Sequence, residues 1–121
     1  DGMLPLCSER HSRNAKMILR EWRAEIRREL ADEYVAYVQK TGIAAYRAQP
    51  GNMWAGVAVR DIDEHRSEIV TISAWTSMEA IKAFAGPDPE CARYFPEDDR
   101  YLLTRPLTVS HYRYLSGDDV L

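Results

Sequence analysis

The chain changes twice from the residue spacing of a β-strand to that of an α-helix, and these two junctions limit the folds it can adopt. Residues 17–26, MILREWRAEI, alternate apolar and polar side chains, which places Trp22 on an apolar face with Arg20 as the odd charge on that side. Residues 27–51 then place apolar side chains three or four positions apart, as an amphipathic helix does. We expect Gly42 to end or kink this helix, with a short second piece after it.

The second junction follows residues 68–75, EIVTISAW, a strand rich in β-branched side chains that ends at Trp75. The next four residues, TSME, are predicted to form a capping box. In this box the Thr76 hydroxyl accepts from a helical N–H, and Glu79 reaches back to the cap. The helix that follows carries Phe84 on its buried face and ends at a Gly-Pro pair.

Two further strands complete the pattern. Residues 53–61 are predicted to form a strand with several small residues, and residues 107–114 a fourth strand. Between positions 87 and 103 we expect one short helix, a proline-led turn and another short turn. The order β-α-β-β-α-(short α)-β predicts an α+β, ferredoxin-like split βαβ fold, with a four-stranded antiparallel sheet and helices on one face.

The limits of this pattern divide the chain into one domain and two short ends. Residues 1–16 show no clean period and are expected to be a flexible N-terminal arm, with a partner-docking segment as the alternative. Residues 17–114 are expected to form the ferredoxin-like domain and residues 115–121 a C-terminal tail. The sheet face without helices must pack on something, and a second copy of the chain is the economical solution. We therefore expect a homodimer with twofold symmetry.

Composition excludes several other classes of partner. The net charge is −3 and the basic residues are interleaved with acids, which argues against nucleic-acid binding. No segment approaches the 18 or so continuous apolar residues of a membrane span. The two cysteines, Cys7 and Cys91, lie far apart without a C-x-x-C motif, so we expect a reducing, cytoplasmic location.

Several stretches resemble the antibiotic-biosynthesis-monooxygenase-like group of dimeric α+β barrel proteins, and they span roughly residues 17–114. The most specific are the W-x-S-x-E-A-I-x-A-F-A-G string that begins at Trp75 and the PEDD-x-x-L-L string that begins at Pro96. The other matching stretches are MILREWRAEI, ADEYVAYVQKTGIAAYRAQPGN and VSHYRY. The resemblance implies the fold and the dimer. It does not imply one reaction, because the group contains oxygenases, haem-degrading enzymes and isomerases.

The resemblance also implies where a site would lie. Relatives with known chemistry bind an aromatic or tetrapyrrole ligand between sheet and helices, and Trp75 matches a tryptophan that lines this pocket. Core packing of Trp75 against the following helix is the alternative. Haem-degrading relatives carry a histidine ten residues after the tryptophan, where this chain has Ala85. Oxygenase relatives carry an asparagine shortly before the tryptophan, where this chain has Thr71 and Ser73.

Four further side chains are candidate site residues. A neutral His111 in the fourth strand could act as a catalytic base beside Trp75, with a histidine hydrogen-bonded in the structure or at an interface as the alternative. Asn52, Phe84 and Tyr112 are candidate ligand contacts, and stabilisation of the preceding turn is the alternative for Asn52.

The charged residues have simpler interpretations. We expect Arg20 and Arg23 to pair with glutamates across the sheet, and pairing with an anionic substrate is the alternative. The PEDD acids at positions 96–99 are expected to form a solvated helix start, because no further ligand at useful spacing supports a metal site.

The chain has no dinucleotide loop, phosphate loop, nucleophile elbow or metal-ligand string. The sequence therefore favours a homodimeric small-molecule-binding protein, and as its activity a cofactor-independent monooxygenase acting on an aromatic or quinol-type substrate. A non-catalytic ligand-binding or stress-related dimer and a cofactor-free isomerase or cyclase are the alternatives, and a haem enzyme is the least favoured.

Overall fold

A computed structural model describes residues 17–117 and contains one four-stranded antiparallel sheet. The strands are β1 (Met17–Arg27), β2 (Asn52–Asp61), β3 (Arg66–Trp75) and β4 (Ser110–Tyr114), in the order β2-β3-β1-β4. This is the order of the split βαβ arrangement, so the predicted α+β, ferredoxin-like fold is confirmed. The predicted arm, residues 1–16, and residues 118–121 of the predicted tail lie outside the described residues.

The helices are short. The first helical region begins with a 3₁₀ turn (Arg28–Leu30) and continues through α1 (Ala31–Val38), a π-helical turn (Gln39–Ile43) and α2 (Ala44–Arg47). The widened turn contains Gly42, where the sequence predicted an end or a kink, and the expected second helical piece follows it. After β3, α3 (Met78–Ala85) and a 3₁₀ turn (Asp98–Arg100) follow. None of the helices within residues 17–117 is long and apolar enough to cross a membrane.

The two faces of the sheet differ as the alternation predicts. Trp22 and Ile26 of β1 pack with Ile69 and Trp75 of β3 in the core beneath the helices. The intervening residues, Leu19 and Ile72 among them, point to the opposite face, which we call the open face. The core and everything it encloses therefore lie on one side of the sheet.

The predicted capping box was wrong by one residue. Ser77 is the N-cap of α3, and its hydroxyl accepts a hydrogen bond of 3.1 Å from the backbone N–H of Ala80. Thr76 instead donates its backbone N–H to the Gly51 carbonyl, which holds it in the strand-to-helix turn. Thr76 and Ser77 both have a hydroxyl that can cap a helix. Because the backbone of Thr76 is held by Gly51, the N-cap position falls on Ser77.

Two predictions after α3 were also wrong. The fourth strand begins at Ser110 rather than at position 107, and the expected short helix after position 87 is not formed. Residues 90–92 instead pair with residues 107–109: the Ala92 N–H donates to the Leu107 carbonyl and the Val109 N–H to the Glu90 carbonyl. This extended pairing satisfies the backbone groups that a helix would have used, in a stretch interrupted by prolines.

The glycine in β2, Gly56, makes room for a neighbouring side chain. The indole of Trp54 lies over Gly56, two residues along the open face, where a Cβ atom would stand only 3.1 Å from the ring. Trp54 remains 40% exposed on its other side. The glycine thus lets a large aromatic side chain lie against the sheet.

Candidate functional site

A pocket opens between the core face of the sheet and the helices. Its enclosed cavity volume is about 40 Å³, and the empty space is about 490 Å³ when the open mouth is included. Five aromatic side chains form much of its wall: Trp22, Tyr34, Tyr46, Phe84 and Phe95. Five polar side chains join them, namely Arg20, Thr41, Thr71, Arg93 and Asp98. An apolar wall with a few polar groups is typical of a small-molecule site.

The π-helical turn shapes one side of this pocket. Thr41 and Gly42 both contribute to the lining, and a Cβ atom added at Gly42 would meet no other atom within 4 Å. The Thr41 hydroxyl donates 2.8 Å to the Tyr37 carbonyl four residues back. The widened turn and the missing side chain therefore both leave space at the pocket.

Arg20 is the buried cation of the pocket. Its side chain lies on the core face of β1 and the residue is only 2% exposed. Nη1 donates to the Pro89 carbonyl at 2.5 Å, and Nη2 donates to the Cys91 carbonyl at 3.4 Å. Within residues 17–117 no carboxylate forms an ion pair with Arg20, so its predicted pairing with a glutamate was wrong.

Arg23, three residues further along β1 and on the opposite face, does pair as predicted. It donates to Glu21 at 2.6 Å and to Glu68 at 3.0 Å. The two arginines of β1 therefore have opposite surroundings: Arg23 lies on the polar face, as the alternation predicts, and only Arg20 interrupts the pattern.

His111 of β4 lies directly across from Arg20 in the sheet. Its Nε2 atom is 2.9 Å from Nη1 of Arg20. Burial and the positive charge of Arg20 lower the pKa of His111, and Glu90 opposes them more weakly. The imidazole is therefore neutral near pH 7. Because a guanidinium only donates, Nε2 must accept and Nδ1 must carry the hydrogen.

The structure thus places His111 behind Arg20 and not on the pocket wall. Its prediction as a catalytic base stays a prediction. Any contact with a pocket ligand would pass through the guanidinium.

Asp98 is the pocket residue that the sequence did not reveal. It is only 4% exposed, so the prediction of a solvated PEDD segment was wrong for this residue. One carboxylate oxygen accepts from the Tyr34 hydroxyl at 2.9 Å and the other from the Phe95 N–H at 2.6 Å. Burial and the adjacent carboxylate raise the pKa of Tyr34 well above its usual range, so the phenol keeps its proton.

One feature of the sequence could have indicated a buried Asp98, namely an acidic residue within an aromatic stretch. Its partner Tyr34 lies 64 residues away, so no local pattern reveals the contact. Across residues 17–117, no group of three or more histidine, cysteine or acidic side chains is placed to hold a metal ion.

Trp75 lies one layer behind the pocket. It is fully buried, its Nε1 donates 2.8 Å to the Ser73 hydroxyl, and its ring centre lies 5.9 Å from those of both Tyr46 and Phe84. Phe84 is itself a wall residue, and the guanidinium of Arg93 stands 4.6 Å from its ring centre. The geometry therefore corresponds to the core-packing alternative for Trp75, with Phe84 between it and the pocket.

The other two candidate residues lie elsewhere. The Asn52 amide donates to the Trp54 and Ala74 carbonyls, each at 3.4 Å, at the irregular start of β2. Tyr112 points to the open face, where its hydroxyl donates 3.0 Å to Glu21. Of the five candidates, the structure therefore brings Phe84 to the pocket wall, with Trp75 and His111 behind it and Asn52 and Tyr112 outside.

The fold and the pocket define a class: a ferredoxin-like α+β domain with an aromatic cleft beneath its helices. Among solved structures, the chain is similar to a protein from Bacillus cereus provisionally named an antibiotic biosynthesis monooxygenase. The TM-score is 0.62 at 15% identity, over 87% of this chain and 99% of that one. The match confirms the fold that the resemblance implied. No protein-family model and no curated protein sequence matches the chain.

Proposed function

We propose that the protein is a homodimeric small-molecule-binding protein that acts as a cofactor-independent monooxygenase on an aromatic or quinol-type substrate. One observation carries the proposal: an aromatic pocket beneath the sheet contains a buried guanidinium, Arg20, and a buried carboxylate, Asp98. Flat side chains suit a planar substrate, and a cation in a dry pocket stabilises a substrate oxyanion. The fold of the Bacillus cereus protein supports this choice among the chemistries of the fold.

The reaction needs no electrons from outside the substrate. A carbon acid such as an anthrone, whose CH₂ group is conjugated through the flanking aromatic rings with the ketone across the central ring, loses a proton to give an enolate. The enolate donates electrons to O₂, the CH₂ carbon becomes a carbonyl, and the second oxygen atom leaves as water. The protein has only to bind the ring, accept the proton and stabilise the anion.

Asp98 is the first candidate for the proton acceptor, because it lines the pocket. His111 is the second candidate for the proton acceptor, and it ranks below Asp98 because Arg20 lies between its imidazole and the pocket. Each carboxylate oxygen of Asp98 accepts one hydrogen bond from the protein, which leaves further acceptor capacity for a substrate proton.

Oxygen consumption with a panel of hydroquinones and anthrones tests this function. We expect uptake above the buffer rate with one O₂ per substrate, and a loss of at least about a hundredfold in Asp98→Asn if this carboxylate is the base. Asp99→Asn is the matched control, because Asp99 lies next in the chain and is exposed. A rate equal to buffer across the panel would retire the oxygenase.

A non-catalytic ligand-binding protein is the second candidate, and one observation favours it. Both proton acceptors near the pocket are already engaged: Asp98 by Tyr34 and Phe95, His111 by Arg20. Saturable binding of aromatic ligands without oxygen uptake would select this function.

The proposed dimer would use the open face. Leu19, Val70, Ile72 and Ala74 lie side by side there, with Trp54 and Tyr112 toward the edges. The charges on the same face are paired within the chain, where Glu68 accepts from both Arg23 and Arg60. An apolar surface with internally paired charges is suited to burial against a copy of itself.

A further inference from the structure

We infer that the pocket selects planar aromatic ligands that carry a carboxylate, and that Arg20 holds this group. The inference rests on the proposed small-molecule pocket and names the class of molecule it takes. The observation behind it is a buried guanidinium at the pocket wall whose Nε atom has no hydrogen-bond partner within the described chain.

Arg20 has N–H groups that no acceptor in the described chain uses. A guanidinium has five N–H groups. Nη1 uses two of them, on the Pro89 carbonyl and on Nε2 of His111, and Nη2 uses one on the Cys91 carbonyl. The Nε–H and one Nη2–H remain. They stand on neighbouring nitrogens, which is the spacing that the two oxygens of a carboxylate match.

No carboxylate within residues 17–117 forms an ion pair with Arg20. Its partners within residues 17–117 are two carbonyls and a neutral imidazole, which accept hydrogen bonds but carry no negative charge. The acid that acts most on His111 is Glu90, which is exposed. Since a buried charge without a counter-charge is costly, an anion brought by a ligand would be bound strongly.

The rest of the wall sets the orientation of such a ligand. Trp22 and Phe84 offer flat faces for its ring. Asp98 also lines the pocket and would repel a second anionic group. A ligand with one carboxylate on a ring system therefore fits with the acid at Arg20 and its apolar part among the aromatic side chains.

A structural role for Arg20 is the competing explanation. By binding the carbonyls of Pro89 and Cys91, the guanidinium fixes residues 89–91 against β1. This role uses two donors and the contact with His111 a third, which leaves the Nε hydrogen unexplained. A test must therefore measure ligand preference and not only stability.

The test compares 2-naphthoate with its methyl ester and with 2-naphthylmethanol, by calorimetry on the full chain. We expect the acid to bind about tenfold more tightly than either neutral analogue. In Arg20→Gln the preference should vanish while the ester binds within about twofold of its original affinity. Arg23→Gln is the matched control, since Arg23 has the same chemistry on the opposite face of β1, and it should keep the preference.

The outcomes separate this inference from the proposed function. Equal binding of acid and ester by the unaltered protein would overturn the carboxylate preference but leave the aromatic pocket in place. Failure of all three compounds to bind would overturn both. If Arg20→Gln unfolds, Arg20→Lys keeps the positive charge without the paired donors and should lose most of the preference; an unchanged preference in that variant would overturn the role of the paired N–H donors.

Discussion

At the scale of single residues, the pairing of Arg20 with His111 decides the chemistry of the pocket. The guanidinium keeps the imidazole neutral, and the imidazole in turn fixes one guanidinium hydrogen. Two side chains that sequence patterns place on separate strands, 91 residues apart, therefore act as one unit. The unit places a fixed cation at the pocket wall.

This pair predicts a pH dependence of stability. The pKa of His111 is lower in the folded protein than in the unfolded chain, so the unfolded chain binds more protons as the pH falls below about 6.5. The free energy of unfolding should therefore decrease from pH 7 to pH 5. His111→Gln should flatten this decrease, and urea titrations at both pH values measure it. His65→Gln is the control: His65 is exposed, and an equal flattening in that variant would contradict the assignment.

At the scale of elements, the start of α3 shows how one hydroxyl defines a junction. Ser77 accepts from the Ala80 N–H, whereas Thr76 is held in the turn by its own backbone. The hydrogen bond to the Ser77 hydroxyl, and not the capping-box motif in the sequence, therefore sets the residue at which α3 begins.

We expect Ser77→Ala to lower the free energy of unfolding by about 1 kcal/mol, because one N–H of α3 loses its acceptor. Thr76→Ala should cost clearly less. Urea unfolding of the two variants compares them directly, and a larger loss at Thr76 would restore the capping box predicted from the sequence.

The sequence predicts the elements whose pattern is local. Alternation reports the faces of β1 and β3 because a strand's side chains alternate whatever its neighbours are. The widened helical turn at Gly42 can also be anticipated from the local sequence, because a glycine weakens a helix whatever residues it contacts. The segments around Glu90 and Leu107 could not be predicted, since their backbone partners are each other. The burial of Asp98 depends likewise on Tyr34, a residue of a distant helix.

At the scale of the whole molecule, one sheet separates two unlike surfaces. The core face holds the pocket, and the open face holds an apolar strip with paired charges beside it. Because side chains alternate along β1, Arg20 reaches the pocket while its neighbour Glu21 belongs to the open face. A change on the open face can therefore alter assembly without touching a pocket residue.

We expect Ile72→Glu to convert the proposed dimer into a monomer, because it places a charge at the centre of the open face. Light scattering coupled to size-exclusion chromatography measures the mass. Ala36→Glu is the matched control, since Ala36 is exposed on α1 on the other side of the sheet, and it should leave the mass unchanged. A monomeric unaltered protein at micromolar concentration would contradict the dimer.

The three indoles of the chain stand in three different surroundings: Trp22 at the pocket wall, Trp75 sealed in the interior and Trp54 half open on the far side of the sheet. Each is thus an intrinsic optical label for a different event. Fluorescence emission of Trp22 reports the binding of an aromatic ligand, and that of Trp75 reports unfolding of the core. Quenching of Trp54 fluorescence by a soluble quencher shows whether the open face is exposed to water.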